Sequence, residues 1–397
     1  MLSLSIAIPG RNLPEPNNGT NNGMRRARRV VTATAIMTCF LLGQAALGAA
    51  SDRIWQKTGG KPIVANSISQ DNFDLLKYKK GTVALTLEGM RVKAIDYGDT
   101  PESYEAARDK RDEGDFENAI TLFKAAMAQA GVRPWIKLHG AYEIAETHRL
   151  WGAKDRAHFA EAIKSYDEAL AVEERARIRP DIIFGRAQAH LGSGNVAAAV
   201  ADLDLLASEA ATNKYGVDWE LTALHEKAQT LDEAGNPEEA KRAYSKLQTQ
   251  ARSFSSMESL DKSDRALASQ MAGLARLAQG KVLIRDGKAA EARRFFEDIV
   301  ADNNEVAGVR AAALVGKAEA LMAQKNFKEA QVALATVRVR YYMTDALAEA
   351  TYLLGLVAGE LGAAEPRGNQ LAQGYFLEVV QRHSGSKWAR KAQEKLN

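Results

Sequence analysis

Apolar residues follow two different periods along the chain. Between residues 52 and 97 they form short clusters separated by turn-forming sequences rich in Gly, Lys and Asp. Alternation at Val83, Leu85 and Leu87 predicts a strand with one buried face. The clusters predict five strands: DRIWQ, IVANSIS, FDLLKY, VALTL and VKAIDY. Five strands of this length indicate a small all-β, barrel-like module over residues 51–98.

From Thr100 onward the apolar positions recur with the period of an α-helix. The segment GDFENAITLFKAAM is representative, because a Gly-Asp turn precedes Ala119, Phe123 and Ala126 on one helical face. Similar segments recur as far as Asn397. The remaining three quarters of the chain are therefore predicted to be repeated helix pairs.

These segments resemble the tetratricopeptide repeat (TPR), in which two antiparallel helices meet at a short turn and small residues let them pack closely. Seven units match over about residues 100–397. The resemblance places the packing residue of each first helix at Ala107, Ala145, Ala187, Ala228, Gly280, Ala318 and Gly355. The turns are expected at Gly114, Gly152, Gly194, Gly235, Gly287, Lys325 and Gly362. The second helices are expected to supply large fillers at Phe123, Tyr166, Leu203, Tyr244, Phe296, Leu334 and Phe376.

The fold class that follows is mainly α: a TPR-like α-solenoid of antiparallel helix pairs after the small N-terminal all-β module. The turns lie farther apart than the 34 residues usual for this repeat. The widest gap contains the sequence SFSSMESLDKS, which predicts a polar loop from Arg252 to Lys262. The last segment, KWARKAQEKLN, is expected to form a solubilising cap.

The β-module is similar to small SH3-like or Sm-like modules of exported bacterial proteins. Such a module could dock a peptide or a nucleic acid. Its only basic and aromatic run is Lys77, Tyr78, Lys79 and Lys80. This short run favours a solvated hairpin tip over a binding stripe.

The first fifty residues predict the compartment. From Met24 a basic segment, an apolar run and a small-residue segment follow one another, which is typical of a secretory signal peptide over residues 24–50. Residues 1–23 are polar and are interpreted as a disordered segment or a mis-assigned start. The expected location is periplasmic or secreted. An uncleaved leader that anchors the protein to the inner membrane is the alternative.

Charge and cysteine content exclude several functions. The net charge of +3 comes from the first fifty residues, which hold five arginines and one glutamate, so the remainder carries −1. This balance argues against nucleic-acid binding. The single cysteine, Cys39, lies in the leader, so the rest of the chain can form no internal disulfide. No catalytic motif is found and the six histidines are scattered, so we expect no enzyme activity, no cofactor and no metal site.

The family resemblance implies that the first helix of each repeat lines a concave groove. Its fifth position corresponds to Tyr104, Tyr142, Phe184 and His225 in the first four repeats, and its ninth to Arg108, Glu146, Gln188 and Gln229. Aromatic rings flanked by polar groups suit a peptide ligand. The alternative is that the rings pack inside the groove or against the β-module.

These observations predict an exported, non-enzymatic scaffold that binds a peptide or protein segment in the groove. The resemblance of the C-terminal segment to exported repeat proteins implies a role in cell-envelope assembly or division. Membrane contact is expected only through an uncleaved leader. Two alternatives remain, namely the same scaffold held in the membrane by its leader, and an accessory protein that binds its ligand through the β-module.

Overall fold

The structure is a computed structural model that describes residues 51–362 and 366–397. The predictions for residues 1–23 and for the signal peptide at residues 24–50 lie outside the described residues. In the described part of the chain, none of the helices combines the length and the apolar character that crossing a membrane requires.

Six short strands form the β-module. They are β1 (Asp52–Gln56), β2 (Ile63–Ala65), β3 (Ser67–Asp71), β4 (Leu76–Lys80), β5 (Val83–Leu87) and β6 (Val92–Asp96). They make two antiparallel sheets with strand orders β2-β1-β6 and β3-β4-β5. Apolar residues of both sheets share one core, which contains Ile54, Ala65, Leu76, Tyr78 and Val92.

Two predictions for this module are wrong. The segment IVANSIS was predicted as one strand, but it is divided at Asn66 into β2 and β3. The predicted burial of Val83 and Leu85 is also wrong, since their exposed fractions are 57% and 37%. Both lie on the edge strand β5, where only Leu87 packs against the core. Alternation identified the strand but not how much of its inner face is covered.

The helices form seven antiparallel pairs and one closing helix in the described residues. The pairs are α1 (Glu102–Asp112) with α2 (Phe116–Ala128), α3 (Pro134–Gly152) with α4 (His158–Val172), α5 (Arg179–Ser193) with α6 (Val196–Asn213), α7 (Val217–Glu233) with α8 (Pro237–Ser255), α9 (Lys262–Arg285) with α10 (Ala289–Ala301), α11 (Ala307–Ala323) with α12 (Phe327–Arg340), and α13 (Ala346–Leu361) with α14 (Pro366–Arg382). The odd-numbered helices α1 to α13 are called the first helices and the even-numbered ones the second helices. The closing helix is α15 (Lys387–Leu396). The mainly α, TPR-like fold is therefore confirmed.

The packing positions predicted from the repeat are buried in every unit. All seven small residues of the first helices and all seven fillers of the second helices lie in the core. The closest packing is around Phe296, whose ring meets glycines on two successive first helices, Gly280 and Gly316. Because an added Cβ at either glycine would collide with that ring, glycine is required there for close approach of the helices.

Five of the seven turns within the pairs follow the predicted register, whereas Gly152 is the last helical residue of α3 and Gly362 has a φ of −100°. Gly114, Gly194, Gly235 and Gly287 adopt left-handed backbone angles at the end of their helices, and Lys325 does the same with φ of 61°. A left-handed residue at this position ends a helix and satisfies its last carbonyl groups. The register is therefore the same in all five turns, although one of them lacks a glycine.

The long spacing of the fourth and fifth repeats comes from long helices. α8 extends to Ser255 and α9 begins at Lys262, so only residues 256–261 connect them. The predicted loop from Arg252 to Lys262 is thus mostly wrong. At the C-terminus α15 buries Trp388, Ala389 and Ala392 against the last repeat, as expected for a cap.

Candidate interaction groove

The first helices form the inner wall of the solenoid. α3 packs against α5, α7 against α9, α9 against α11, and α11 against α13. Successive second helices make no comparable contacts within residues 51–362 and 366–397. Contacts of this size join the first helices of repeats two and three and those of repeats four to seven, but not α1 with α3 or α5 with α7. In helical-repeat arrays the side on which such helices meet is the concave one. The inner surface that they form is called the groove below.

The ninth-position residues share a half-buried position along this groove. Arg108, Glu146, Gln188 and Gln229 are each half-buried, one on each of α1, α3, α5 and α7. The equivalent residues of the last three repeats are also half-buried, and these are Lys281, Glu319 and Leu356. The groove therefore carries one half-buried side chain per repeat at this position, polar in six of the seven repeats.

Two of the four predicted aromatic site residues are buried between helices. Tyr104 is 4% exposed and packs edge-on against Phe123 at 5.2 Å and Trp135 at 5.6 Å. His225 is 6% exposed, with its ring 6.5 Å from that of Tyr244. Burial raises the pKa of Tyr104 and lowers the pKa of His225. These two rings are therefore packed in the contacts between neighbouring helices.

The other two predicted rings, Tyr142 and Phe184, are half-buried. Phe184 lies edge-on to Trp219 at 6.1 Å, and it packs against a cluster that includes Phe73 of the β-module. Tyr142 lies 6.4 Å from Tyr166. Burial, together with nearby carboxylates, raises the pKa of Tyr142. Contact of these rings with a partner stays a prediction.

Internal partners already hold most of the predicted polar residues. Arg108 and Arg111 both pair with Glu143 of the next first helix. Glu146 forms an ion pair of 2.7 Å with Arg149 and accepts a hydrogen bond from the hydroxyl of Tyr166 on α4. These ion pairs stiffen the first two repeats. The charged groups of Arg108 and Glu146 are consequently engaged within the chain.

The two glutamines are less constrained. Gln229 Nε2 donates a hydrogen bond of 2.9 Å to Glu233, one turn further along α7. Within the described residues, no hydrogen-bond partner is observed for the side chain of Gln188. Gln188 and Gln229 thus occupy the middle of the groove with polar groups that a partner can reach.

A charge cluster in the second half of the groove was not predicted. Lys281 Nζ lies 3.8 Å from Glu319 and 3.6 Å from Glu349. These residues belong to α9, α11 and α13, so the lysine reaches past α11 on the concave side. Burial raises the pKa of Glu319, and Lys281 only partly offsets this effect. The repeat register places Lys281 and Glu319 at ninth positions, but it does not predict the contact of Lys281 with Glu349.

The β-module docks onto the N-terminal ends of first helices through paired charges. Arg177, just before α5, donates to Asp71 at 2.8 and 3.3 Å, and Tyr97 donates to the same carboxylate at 2.9 Å. Arg133, just before α3, donates to Asp52 at 2.8 and 2.9 Å. Burial acts to raise the pKa of Asp71, but Arg177 and Tyr97 keep it below its ordinary value.

Stacked rings complete this docking contact. Tyr97 lies parallel to Trp135 at 4.1 Å, and His139 packs edge-on against both rings at 5.8 and 5.5 Å. Burial lowers the pKa of His139 to about 4, so this ring is neutral at pH 7. Phe73 stacks on Tyr215 at 3.8 Å in a core shared with α5, α6 and α7. The module therefore covers one edge of the groove in repeats two to four.

A cleft of about 270 Å³ lies where the β-module faces α6 to α9. Its walls are mostly apolar, with Met90, Val217 and Phe254 among the lining residues. Lys57 from the module lies 3.5 Å from Asp218 at the start of α7. No sequence pattern predicts this cleft, because its two walls are more than a hundred residues apart in the chain.

The arrangement defines a class of protein, the helical-repeat scaffolds, whose fold binds proteins and peptides over extended surfaces. A sequence profile of the tetratricopeptide repeat matches residues 283–350, which run from the end of α9 into α13. Over these residues the repeats predicted from the sequence are confirmed as tetratricopeptide repeats. No curated protein matches the chain.

Several solved structures are similar in fold. A tetratricopeptide repeat protein from Parabacteroides merdae is 18% identical, with 74% of this chain and 96% of that chain covered and a TM-score of 0.42. The C-terminal part of a repeat protein from Cytophaga hutchinsonii is 12% identical, with 74% and 99% covered and a TM-score of 0.42. A signal transduction ATPase with a tetratricopeptide repeat sensor from Pyrococcus horikoshii is 13% identical, with 74% and 43% covered and a TM-score of 0.47.

Proposed function

We propose that this protein is an exported, non-enzymatic scaffold that holds a peptide or a protein segment in its groove. The observation that carries the proposal is the ninth-position row, with one half-buried side chain on each of the seven first helices. A row of this kind repeats along the groove at the spacing of the helices, so it suits an extended or helical segment.

The middle of the groove is the proposed centre of the site. Gln188 and Gln229 offer amide groups that can both donate and accept hydrogen bonds. On the C-terminal side, Lys281 with Glu319 and Glu349 presents both signs of charge. The partner segment is therefore expected to be polar and of mixed charge rather than uniformly acidic or basic.

Export and the envelope role rest on the sequence. Residues 24–50 support a cleaved leader, and the C-terminal segment supports a setting in envelope assembly or division. Sequencing the N-terminus of the mature protein tests the leader directly. A mature chain that begins near Ser51 supports export with cleavage, whereas an exported chain that keeps Arg25 to Arg29 is the anchored form.

The groove is tested by cross-linking in cells followed by mass spectrometry of the captured proteins. The test variant carries Gln188→Arg and Gln229→Arg, which place two bulky charges in the middle of the groove. The matched control carries Gln331→Arg and Gln373→Arg on the second helices α12 and α14. Both variants add the same charge, but the control places it on second helices of the sixth and seventh repeats, outside the groove.

Proteins captured by the wild type and the control, but lost from the groove variant, support the proposal. Equal capture by all three proteins contradicts it and moves the site to the β-module or the convex face. Far-UV circular dichroism of the purified variants shows whether either double substitution alters the fold.

A further inference from the structure

The turn of the second repeat is longer than the others and brings two histidines together. Residues 153–157 connect α3 to α4, whereas the turns of the first, third, fourth, fifth and sixth pairs have two or three residues. The extra residues place His158, the first residue of α4, beside His148 near the end of α3. Their Nδ1 atoms are 3.3 Å apart. The scattered positions of the histidines in the sequence predicted no metal site, and this turn brings two of them together.

The ring of Trp151 packs against one of the two imidazoles and lies parallel to the other. His158 stacks on Trp151 with a ring separation of 3.6 Å and an interplanar angle of 14°. The His148 ring is parallel to Trp151 within 6° at 6.4 Å, and it lies 5.5 Å from the His158 ring. Both Nδ1 atoms are therefore turned towards one another by packing, before any ligand is present.

The separation of the two nitrogens matches tetrahedral coordination. With metal–nitrogen bonds of about 2.0–2.1 Å, two imidazole ligands of a tetrahedral zinc ion lie about 3.3–3.4 Å apart. Coordination needs neutral imidazole. The pKa of His148 lies below its ordinary value because of burial and the neighbouring His158. Glu161, one turn into α4, adds a nearby negative charge.

We propose that His148 and His158 form a binding site for a borderline divalent metal ion such as Zn²⁺ or Cu²⁺, with the Nδ1 atom of each ring as a ligand. Imidazole suits these ions. No third histidine, cysteine or carboxylate completes a cluster with the pair among the described residues. The other coordination positions therefore belong to water or to a donor from a bound partner. Without metal, the Nδ1–H of one ring donates a hydrogen bond to Nδ1 of the other ring. When the ion binds, that ring adopts the tautomer with its proton on Nε2, so that both Nδ1 lone pairs face the ion.

The test is a titration of the untagged full chain with Zn²⁺ alone by calorimetry, and with Cu²⁺ alone by tryptophan fluorescence. We expect saturable binding of one ion per chain, and Cu²⁺ should quench Trp151 because the indole stacks on a ligand ring. His148→Ala and His158→Gln should each weaken binding at least tenfold, roughly the loss expected for one ligand of a two-ligand site. The matched control, His383→Ala, removes an imidazole far along the chain and should bind as the wild type does.

Equal Zn²⁺ affinity in the wild type and both pair variants would overturn the proposal, as would the lack of saturable binding up to about 1 mM Zn²⁺. Protons compete with the ion for the same nitrogens, so affinity should fall as the pH is lowered from 7 to 5. His158 is half-buried at the start of α4, so His158→Gln is expected to fold. Thermal unfolding without metal confirms this for each variant.

Discussion

The packing of Phe296 against two glycines allows a quantitative test of the repeat core. Phe296 is fully buried on α10. A Cβ built on Gly280 would lie 2.5 Å from the end of its ring, and a Cβ on Gly316 would overlap the same ring. Gly280→Ala therefore forces either the ring or α9 to move. Because Phe296 is enclosed from two helices, neither movement is free.

The expected magnitude follows from two opposing effects. Overpacking a core by one methyl group typically costs about 1–3 kcal/mol. Replacing glycine by alanine inside a helix returns about 0.5–1 kcal/mol. The net effect of Gly280→Ala is thus a loss of about 1 kcal/mol at the middle of these ranges and of up to about 2.5 kcal/mol. Gly374 on α14 is the matched control, since a Cβ there meets nothing within 4 Å, and Gly374→Ala should stabilise by about 0.5–1 kcal/mol.

The assay is urea denaturation followed by far-UV circular dichroism. The two alanine variants should shift the unfolding midpoint in opposite directions. Phe296→Leu introduced into Gly280→Ala should recover part of the loss, with a coupling of at least about 0.5 kcal/mol in the double-mutant cycle. A Gly280→Ala protein that unfolds at the same urea concentration as the wild type, or at a higher one, would refute the packing argument.

Three further predictions use the same assay. Lys325→Gly should stabilise by roughly 1 kcal/mol, because Lys325 holds a left-handed φ of 61° that glycine adopts without strain, and an unchanged midpoint contradicts this. Tyr142→Ala with Phe184→Ala should lower the free energy of unfolding by about 2 kcal/mol per ring, since both side chains are half-buried. If the double variant loses partner capture at unchanged stability, the two rings instead contact the partner. His139 has a folded pKa of about 4, below its unfolded value of about 6.5, so the unfolded state binds more protons between these values. Stability should therefore fall by up to about 3 kcal/mol as the pH drops through this window, and His139→Gln should flatten the dependence; an equal pH dependence in both proteins would show that His139 is not responsible.

The helical repeats could be predicted because their packing is local. Ala145 and Phe296 occupy positions set by the helical period and by a short turn, so nearby residues alone determine the register. The period does not show how far a neighbouring element covers a side chain. For that reason Tyr104 and His225, assigned to the groove by register, lie buried between helices. For Val83 the sequence pattern predicted burial, but the side chain is exposed because its strand lies at an open edge of the sheet.

The docking of the β-module could not be predicted from the chain. Asp71 and Arg177 are 106 residues apart, and neither stands in a motif. Their meeting depends on the curvature of the solenoid, which brings the start of α5 up to the end of β3. The contact between His148 and His158 also could not be predicted from the chain, since it depends on the path of a single five-residue turn.

The docked module also changes the mechanics of the solenoid. In a repeat array each unit contacts only its neighbours, so small bends accumulate along its length as in a coiled spring. The module contacts the starts of α3, α5 and α7 at the same time. It thereby links repeats two, three and four to one another. If the solenoid is pulled from its two ends, the repeats from the fifth onward should separate first. We therefore expect the groove to be stiffer over repeats two to four than from repeat five onward.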